Sequence, residues 1–135
     1  MSENTMATQT AIRAAAFRSA LRSFLRTSEQ IARNNGLTPQ RYLLLLMIKG
    51  APDGSERATI GELVDRLELA QSTVTELVQR AEDVGLVKRE RSKDDARIDY
   101  LRLTAEGERR LTASAGEFAN ERHRLYGILD ELERD

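Results

Sequence analysis

Cysteine is absent from this sequence, which removes disulfides, thiolate metal sites and thiol redox sensing together. Histidine occurs once, as His123 between Arg122 and Arg124. A lone imidazole without further ligands is a poor metal site and completes no Ser-His-Asp set. No apolar run approaches the ~20 residues needed to cross a bilayer. The N-terminal MSENTMATQT is too polar for a secretory signal, so a cytoplasmic location is expected. There is no glycine-rich phosphate loop, nucleophile motif, internal repeat or low-complexity tract. The expectation is a non-enzyme with no cofactor, no metal and no membrane partner.

What is present suits one domain with helical extensions: 135 residues, 40% hydrophobic and 32% charged. The formal net charge of −1 offers no general attraction for nucleic acid. The placement of charge is uneven. Residues 1–35 are net basic and 104–135 net acidic, while LVKRERSKDDAR (86–97) carries five basic side chains against three acidic ones. Such a finger is common on surfaces that bind nothing, so its neighbours must decide its meaning.

Residues 11–33 lack Gly and Pro and place Phe17, Leu21, Phe24, Leu25, Ile31 and Ala32 near helical spacing. Gly36 in NNG should cap that helix. Thr38 and Pro39 restart the chain as N-cap and first helical residue, and YLLLLMIKG is apolar on every side, predicting a buried central helix. APDGSERA (51–58) reads as a loop. Thr59 with Glu62 matches a capping box, and Ile60, Leu63, Val64 and Leu67 give a short amphipathic helix of about nine residues. After a turn at 68–70, QSTVTELVQRAEDVGLV forms another helix with Val74, Leu77, Val78 and Ala81 as its buried stripe and Gly85 as its cap. One hydroxyl of Ser72, Thr73 and Thr75 should cap its start. LVKRER and RIDYLRL then alternate as strands around SKDDA, with Leu101 and Leu103 on one face and Tyr100 and Arg102 on the other. Thr104 should cap a final helix over 105–134, where Leu111, Ala115, Phe118, Leu125, Leu129 and Leu132 fall on seven-residue spacing, interrupted by Arg122. A helix of ~45 Å outruns a small domain, so its seam asks for a partner.

This order is a helix-turn-helix followed by a β-wing. LTPQRYLLLLMI, TIGELVDRLELAQSTVTELVQRAEDVGLVKRERSKDDAR and LRLTAEG resemble the MarR-type transcriptional regulators over roughly residues 10–120, most specifically in Asp95-x-Arg97 followed by Leu103-Thr104-x-x-Gly107. The fold so implied is mainly α with a small β-wing, a winged helix-turn-helix with N- and C-terminal dimerisation helices. The expected divisions are 1–36, an N-terminal helix shared with the dimerisation region; 37–104, the DNA-binding domain; and 105–135, a C-terminal dimerisation segment of one helix or two.

The resemblance implies a homodimeric, sequence-specific regulator, most simply a repressor, on a pseudo-palindromic double-stranded operator. Helix 71–84 would enter the major groove and the wing the flanking minor groove, with Arg97 at the wing tip and Asp95 orienting the wing's arginines. Gln71, Ser72, Thr73, Thr75, Gln79 and Arg80 on the helix and Arg89, Arg91 and Lys93 on the hairpin complete the expected DNA surface. Small polar side chains let a helix approach phosphates, base edges and thymine methyl groups closely, whereas Glu76 on that face would repel phosphate or accept from a cytosine amino group. Leu21, Leu111, Phe118, Leu125, Leu129 and Leu132 are the expected dimer contacts. Family members bind small aromatic or phenolic acids, and Arg18, Arg22, Arg41 and Tyr42 are the conceivable lining groups here. The competing reading is a winged-helix interaction module that never touches DNA, which the net acidic charge keeps open.

Overall fold

The computed structural model describes residues 4–134. Its elements run α1 (Thr8–Asn34), α2 (Pro39–Lys49), α3 (Ile60–Leu67), α4 (Gln71–Asp83), β1 (Val87–Arg91), β2 (Asp99–Leu103) and α5 (Ala105–Glu133). The expected mainly helical chain with a two-stranded wing is what is seen. Local chemistry sets most boundaries. The Thr38 side chain accepts from the Arg41 N–H with Pro39 in the first turn. Thr59 and Glu62 form the complete reciprocal capping box. The chain leaves α4 through Gly85 at φ +77°, and Leu86 N–H then bonds back to the Ala81 carbonyl at 2.9 Å.

The helix α2 is central. Leu44, Leu45 and Ile48 have no exposed surface, and they pack with Leu63 of α3, Val74 and Val78 of α4 and Leu101 of β2 in one cluster. The expectation that α2 is buried on all sides holds for only part of its circumference: Leu43 and Leu46 are exposed. The wing strands pair antiparallel, Val87 opposite Leu103 and Arg91 opposite Asp99. The segment 51–58 is more than a loop, because Ala58 exchanges two backbone hydrogen bonds with Leu101, at 3.1 and 2.7 Å, and so pins β2 to the domain.

The final segment is one continuous helix. It does not present its whole heptad seam outward. Leu111 and Phe118 are 9% and 3% exposed and belong to the chain's own core. Phe118 stacks on Tyr42 with ring centroids 4.1 Å apart and planes 17° apart. Ala115 is exposed and Ser114 buried in its place, donating to the Arg110 carbonyl at 3.0 Å. Leu125, Leu129 and Leu132 are half-buried, as is Leu21. The heptad register therefore serves packing within the chain first.

At the root of α5, Thr104 N–H donates to the Leu86 carbonyl at 3.0 Å. Its hydroxyl donates to the Gly85 carbonyl at 2.6 Å and accepts from Gly107 N–H at 3.1 Å. Gly107 lies so close to Leu86 that a Cβ would sit 2.2 Å from the Leu86 carbonyl oxygen. At Gly85 a Cβ would meet nothing within 4 Å and only the positive φ opposes it. Gly107→Ala should therefore cost ~2–3 kcal/mol as overpacking against rigid backbone, and Gly85→Ala about 1 kcal/mol of left-handed strain. Urea unfolding of the two variants checks this order; equal losses would mean that the α5 root yields without cost.

Candidate nucleic-acid interface

Helix α4 buries Val74, Leu77, Val78 and Ala81 and turns every other side chain of its first two turns to solvent. Its N-cap is Ala70, which has no side-chain acceptor, and the helix start carries no side-chain cap. The expectation that Ser72, Thr73 or Thr75 caps the helix is thus wrong. The chain reaches Gln71 through Glu68 in the left-handed conformation and an extended Ala70, which places the hydroxyls inside the helix instead of at its cap position. All three hydroxyls and the Gln71 amide are exposed, and the first-turn N–H groups lack the side-chain partner such ends usually have. An uncapped, small-residue helix start is one that an anion or another backbone can approach closely.

Further along, the face is occupied by its own charges. Arg80 donates to Glu76 at 2.7 Å and Gln79 to Asp83 at 3.0 Å, each one turn apart. Exposed pairs of this kind contribute about 0.3–0.5 kcal/mol, so they set side-chain position more than stability.

The wing joins α4 through Arg89, which donates to Glu82 at 3.0 Å. Arg89 is thereby held against the domain, and Arg91 lies 3.6 Å from Asp99 across the hairpin. Arg102 and Arg57 both meet Glu90, at 2.8 and 3.7 Å, and Arg57 lies over the Tyr100 ring, 3.8 Å from its centroid. The turn is built by side chains. The Ser92 hydroxyl accepts from the N–H groups of Asp94 and Asp95, and the Asp95 carboxylate accepts three times from Arg97: from its backbone N–H at 3.0 Å, Nε at 3.1 Å and a terminal nitrogen at 3.2 Å. The Arg97 side chain is nonetheless 90% exposed. Lys93 is exposed with no ion pair among the described residues.

The four residues expected to line a ligand site are not brought together. Arg18 and Arg22 line an outer groove of α1 with Leu21 and Leu25. Arg41 lies beside Leu77 and Arg80. Tyr42 alone reaches an apolar cavity of about 250 Å³ between α1, α2 and α5, walled by Phe24, Leu43, Leu46 and Phe118. Sequence reasoning missed this cavity because its walls come from three separated segments. Its polar groups are Glu29, Arg122 and Ser28, whose buried hydroxyl has no hydrogen-bond partner. Burial pushes the Tyr42 phenol up, and the nearby Arg122 charge partly offsets this. Arg122, the polar break in the heptad pattern, is therefore a cavity residue. Among the described residues no group of His, Asp or Glu could hold a metal ion, and no helix is long and apolar enough to cross a membrane.

The Asp95 carboxyl is held below its ordinary value of 3.8, first by the Arg97 side chain and then by the Arg97 backbone N–H. A depressed value means that the tie is fully formed above the ordinary value and lost as pH falls through the lower folded-state one. The Arg97 Nε–H resonance should be resolved near about pH 6 and broaden progressively as the solution is acidified below the usual carboxylate range. In Asp95→Asn it should be broad throughout. A wild-type resonance unchanged to about pH 2 would mean that the carboxylate does not hold the arginine.

Residues 35–98, the span of α2 through the wing turn, match the MarR family. The chain is 34% identical over 80 residues to the HTH-type transcriptional regulator YsmB of Bacillus subtilis, covering 59% of this chain and 52% of that protein. It is 35% identical over 78 residues to the transcriptional regulator HosA of Escherichia coli, covering 58% and 55%. The chain thus matches about half the length of these curated relatives. AbsC, a MarR family transcriptional regulator from Streptomyces coelicolor, superposes with a TM-score of 0.75 at 22% identity, covering 96% of this chain and 84% of AbsC. Sco3205 of the same organism, a MarR family regulator solved in complex with DNA, does so at 0.72 and 20%, covering 92% and 77%. Residues 35–98 thus match the MarR family in sequence, and over most of its length the chain has the winged helix-turn-helix fold of the MarR family structures.

Proposed function

We propose that this protein is a homodimeric, sequence-specific DNA-binding transcriptional regulator, acting as a repressor and released by a small aromatic acid. The observation that carries the DNA reading is the α4 surface. Ser72, Thr73 and Thr75 stand exposed at an uncapped helix start, where no folding role accounts for three hydroxyls in four positions. The wing adds an exposed guanidinium, Arg97, whose orientation is set by Asp95. In this reading α4 reads base edges in the major groove and Arg97 enters the minor groove, where width and negative potential are sensed. Gln71, Gln79, Arg91 and Lys93 contribute from the same two elements, and Arg89 serves the join between them.

Dimerisation is supported by what α1 and α5 leave uncovered. Ile12, Phe17, Leu25 and Tyr126 are exposed apolar side chains on two long helices, an arrangement that a second copy would bury. The half-buried Leu21, Leu125, Leu129 and Leu132 border that surface, whereas Leu111 and Phe118 stay with the core of each chain. Two symmetric subunits would in turn ask for a pseudo-palindromic operator.

The release of DNA by a ligand rests on the cavity beside Tyr42. Apolar walls, the unpartnered Ser28 hydroxyl and the Arg122 cation suit an aromatic ring whose carboxylate lies toward Arg122 and away from Glu29. Benzoate at millimolar concentration should raise the unfolding temperature of the wild type, and Arg122→Ala should remove the rise. No rise in the wild type would reject a carboxylate as the occupant.

Fluorescence anisotropy against salt tests the DNA reading. For random duplex and for a site selected from a random library, log affinity should fall linearly with log salt, and Arg97→Ala should flatten both slopes by roughly two units, one per subunit. Light scattering should give about twice the 15.2 kDa of one chain. No duplex binding by a folded wild type at low salt would favour the interaction-module reading, and a one-chain mass would remove the dimer.

A further inference from the structure

Helix α4 carries an electrostatic contradiction. Its outward face, the one that would enter the groove, holds two carboxylates, Glu76 and Asp83, and one cation, Arg80. The two long side-chain donors of its later turns are engaged with those carboxylates: Arg80 with Glu76 at 2.7 Å, and the Gln79 amide with Asp83 at 3.0 Å. Glu76 and Arg80 are each more than half exposed, so neither is needed by the core. A surface meant to bind any duplex would not place carboxylates there.

We propose that Glu76 is a specificity-determining residue that latches Arg80 away from non-cognate DNA. This rests on the DNA-binding reading above. On a random duplex Arg80 has two options, both poor. Kept on Glu76, it gives no phosphate contact from this helix. Moved to a phosphate, it leaves the Glu76 carboxylate without its donor in the most negative part of the surroundings, where like charges oppose binding. A base pair that presents a cytosine or adenine amino group opposite Glu76 removes the conflict, because an amino N–H replaces the guanidinium as donor to the carboxylate. Arg80 is then free for a neighbouring phosphate. One exchange of partners gives both side chains a DNA partner on the right sequence and at most one of them on the wrong one. The latch thus raises discrimination mainly by weakening the competing random sites, which are far more numerous than operators.

The test uses the full-length protein, a random duplex and the site selected from a random library by the wild type. Glu76→Gln keeps the side-chain length and removes the charge. It should raise affinity for random duplex by roughly tenfold, steepen its salt slope by about two units per dimer as both Arg80 side chains reach phosphate, and lower the ratio of selected to random binding. Adding Arg80→Gln to Glu76→Gln should bring random-duplex affinity back to within about threefold of wild type, since the gain passes through the arginine. Two results overturn the latch while DNA binding stands: random-duplex affinity and slope unchanged in a folded Glu76→Gln protein, or the full gain retained in the double variant. Failure of the wild type to bind any duplex removes the DNA-binding reading, and the latch with it.

Discussion

Thr104, through its hydroxyl and its backbone N–H, holds together the end of α4, the start of β1, the end of β2 and the start of α5. It donates to Gly85, accepts from Gly107, and its own N–H meets the Leu86 carbonyl. Because Gly107 has no side chain, α5 comes against the Leu86 backbone with no room for a Cβ. A long helix is thus set at a fixed angle on the domain that carries α4 and the wing. Contacts farther out follow from that angle: Arg110 reaches the Gly36 carbonyl at 2.8 Å, Asn35 reaches Glu117 at 3.2 Å, and Phe118 arrives over Tyr42. The joint between α1 and α2 is held by α5 through these bonds, and the cavity beside Tyr42 lies between the same helices. A ligand that spread α5 from α2 would act on a lever whose fulcrum is Thr104 and whose short arm is the start of the wing.

The surface facing away from this joint is ordered by small electrostatic ties, each weak alone. Asp95 fixes Arg97, Ser92 fixes the turn beneath it, and Glu82 draws Arg89 back to α4. Burial contributes little there, so the wing keeps its shape through donors and acceptors that water could replace at modest cost. In the proposed reading this suits an element that exchanges its own carboxylates for the phosphates of a duplex. The net charge of −1 says little by itself, since residues 104–135 hold an acidic excess outside α4 and the wing turn, and the carboxylates that α4 does carry are met by Arg80, Gln79 and Arg89.

Local chemistry was legible in the sequence wherever a residue acts on its own neighbours. Thr38-Pro39, the Thr59–Glu62 box, Gly85-Leu86 and Thr104 each mark a boundary found in the structure. Features made by distant segments were not legible. The heptad spacing of α5 is real, but nothing in a periodicity says whether Leu111 and Phe118 meet α2 or another chain. The bridge from Ala58 to Leu101 has no signature in a loop sequence. The cap of α4 was misplaced because three hydroxyls in four positions look like caps until the backbone shows Ala70 at that site. That error is informative: side chains that do not cap must be explained by what they face.

The most direct test of the account is to titrate the 15N-labelled protein with its selected duplex and follow every backbone amide. The account predicts shifts concentrated in residues 71–83 and 92–98, with weaker ones at the Thr104 joint and little change along the outer face of α1. Shifts confined to α1 and α5, with α4 and the wing turn unmoved, would contradict it.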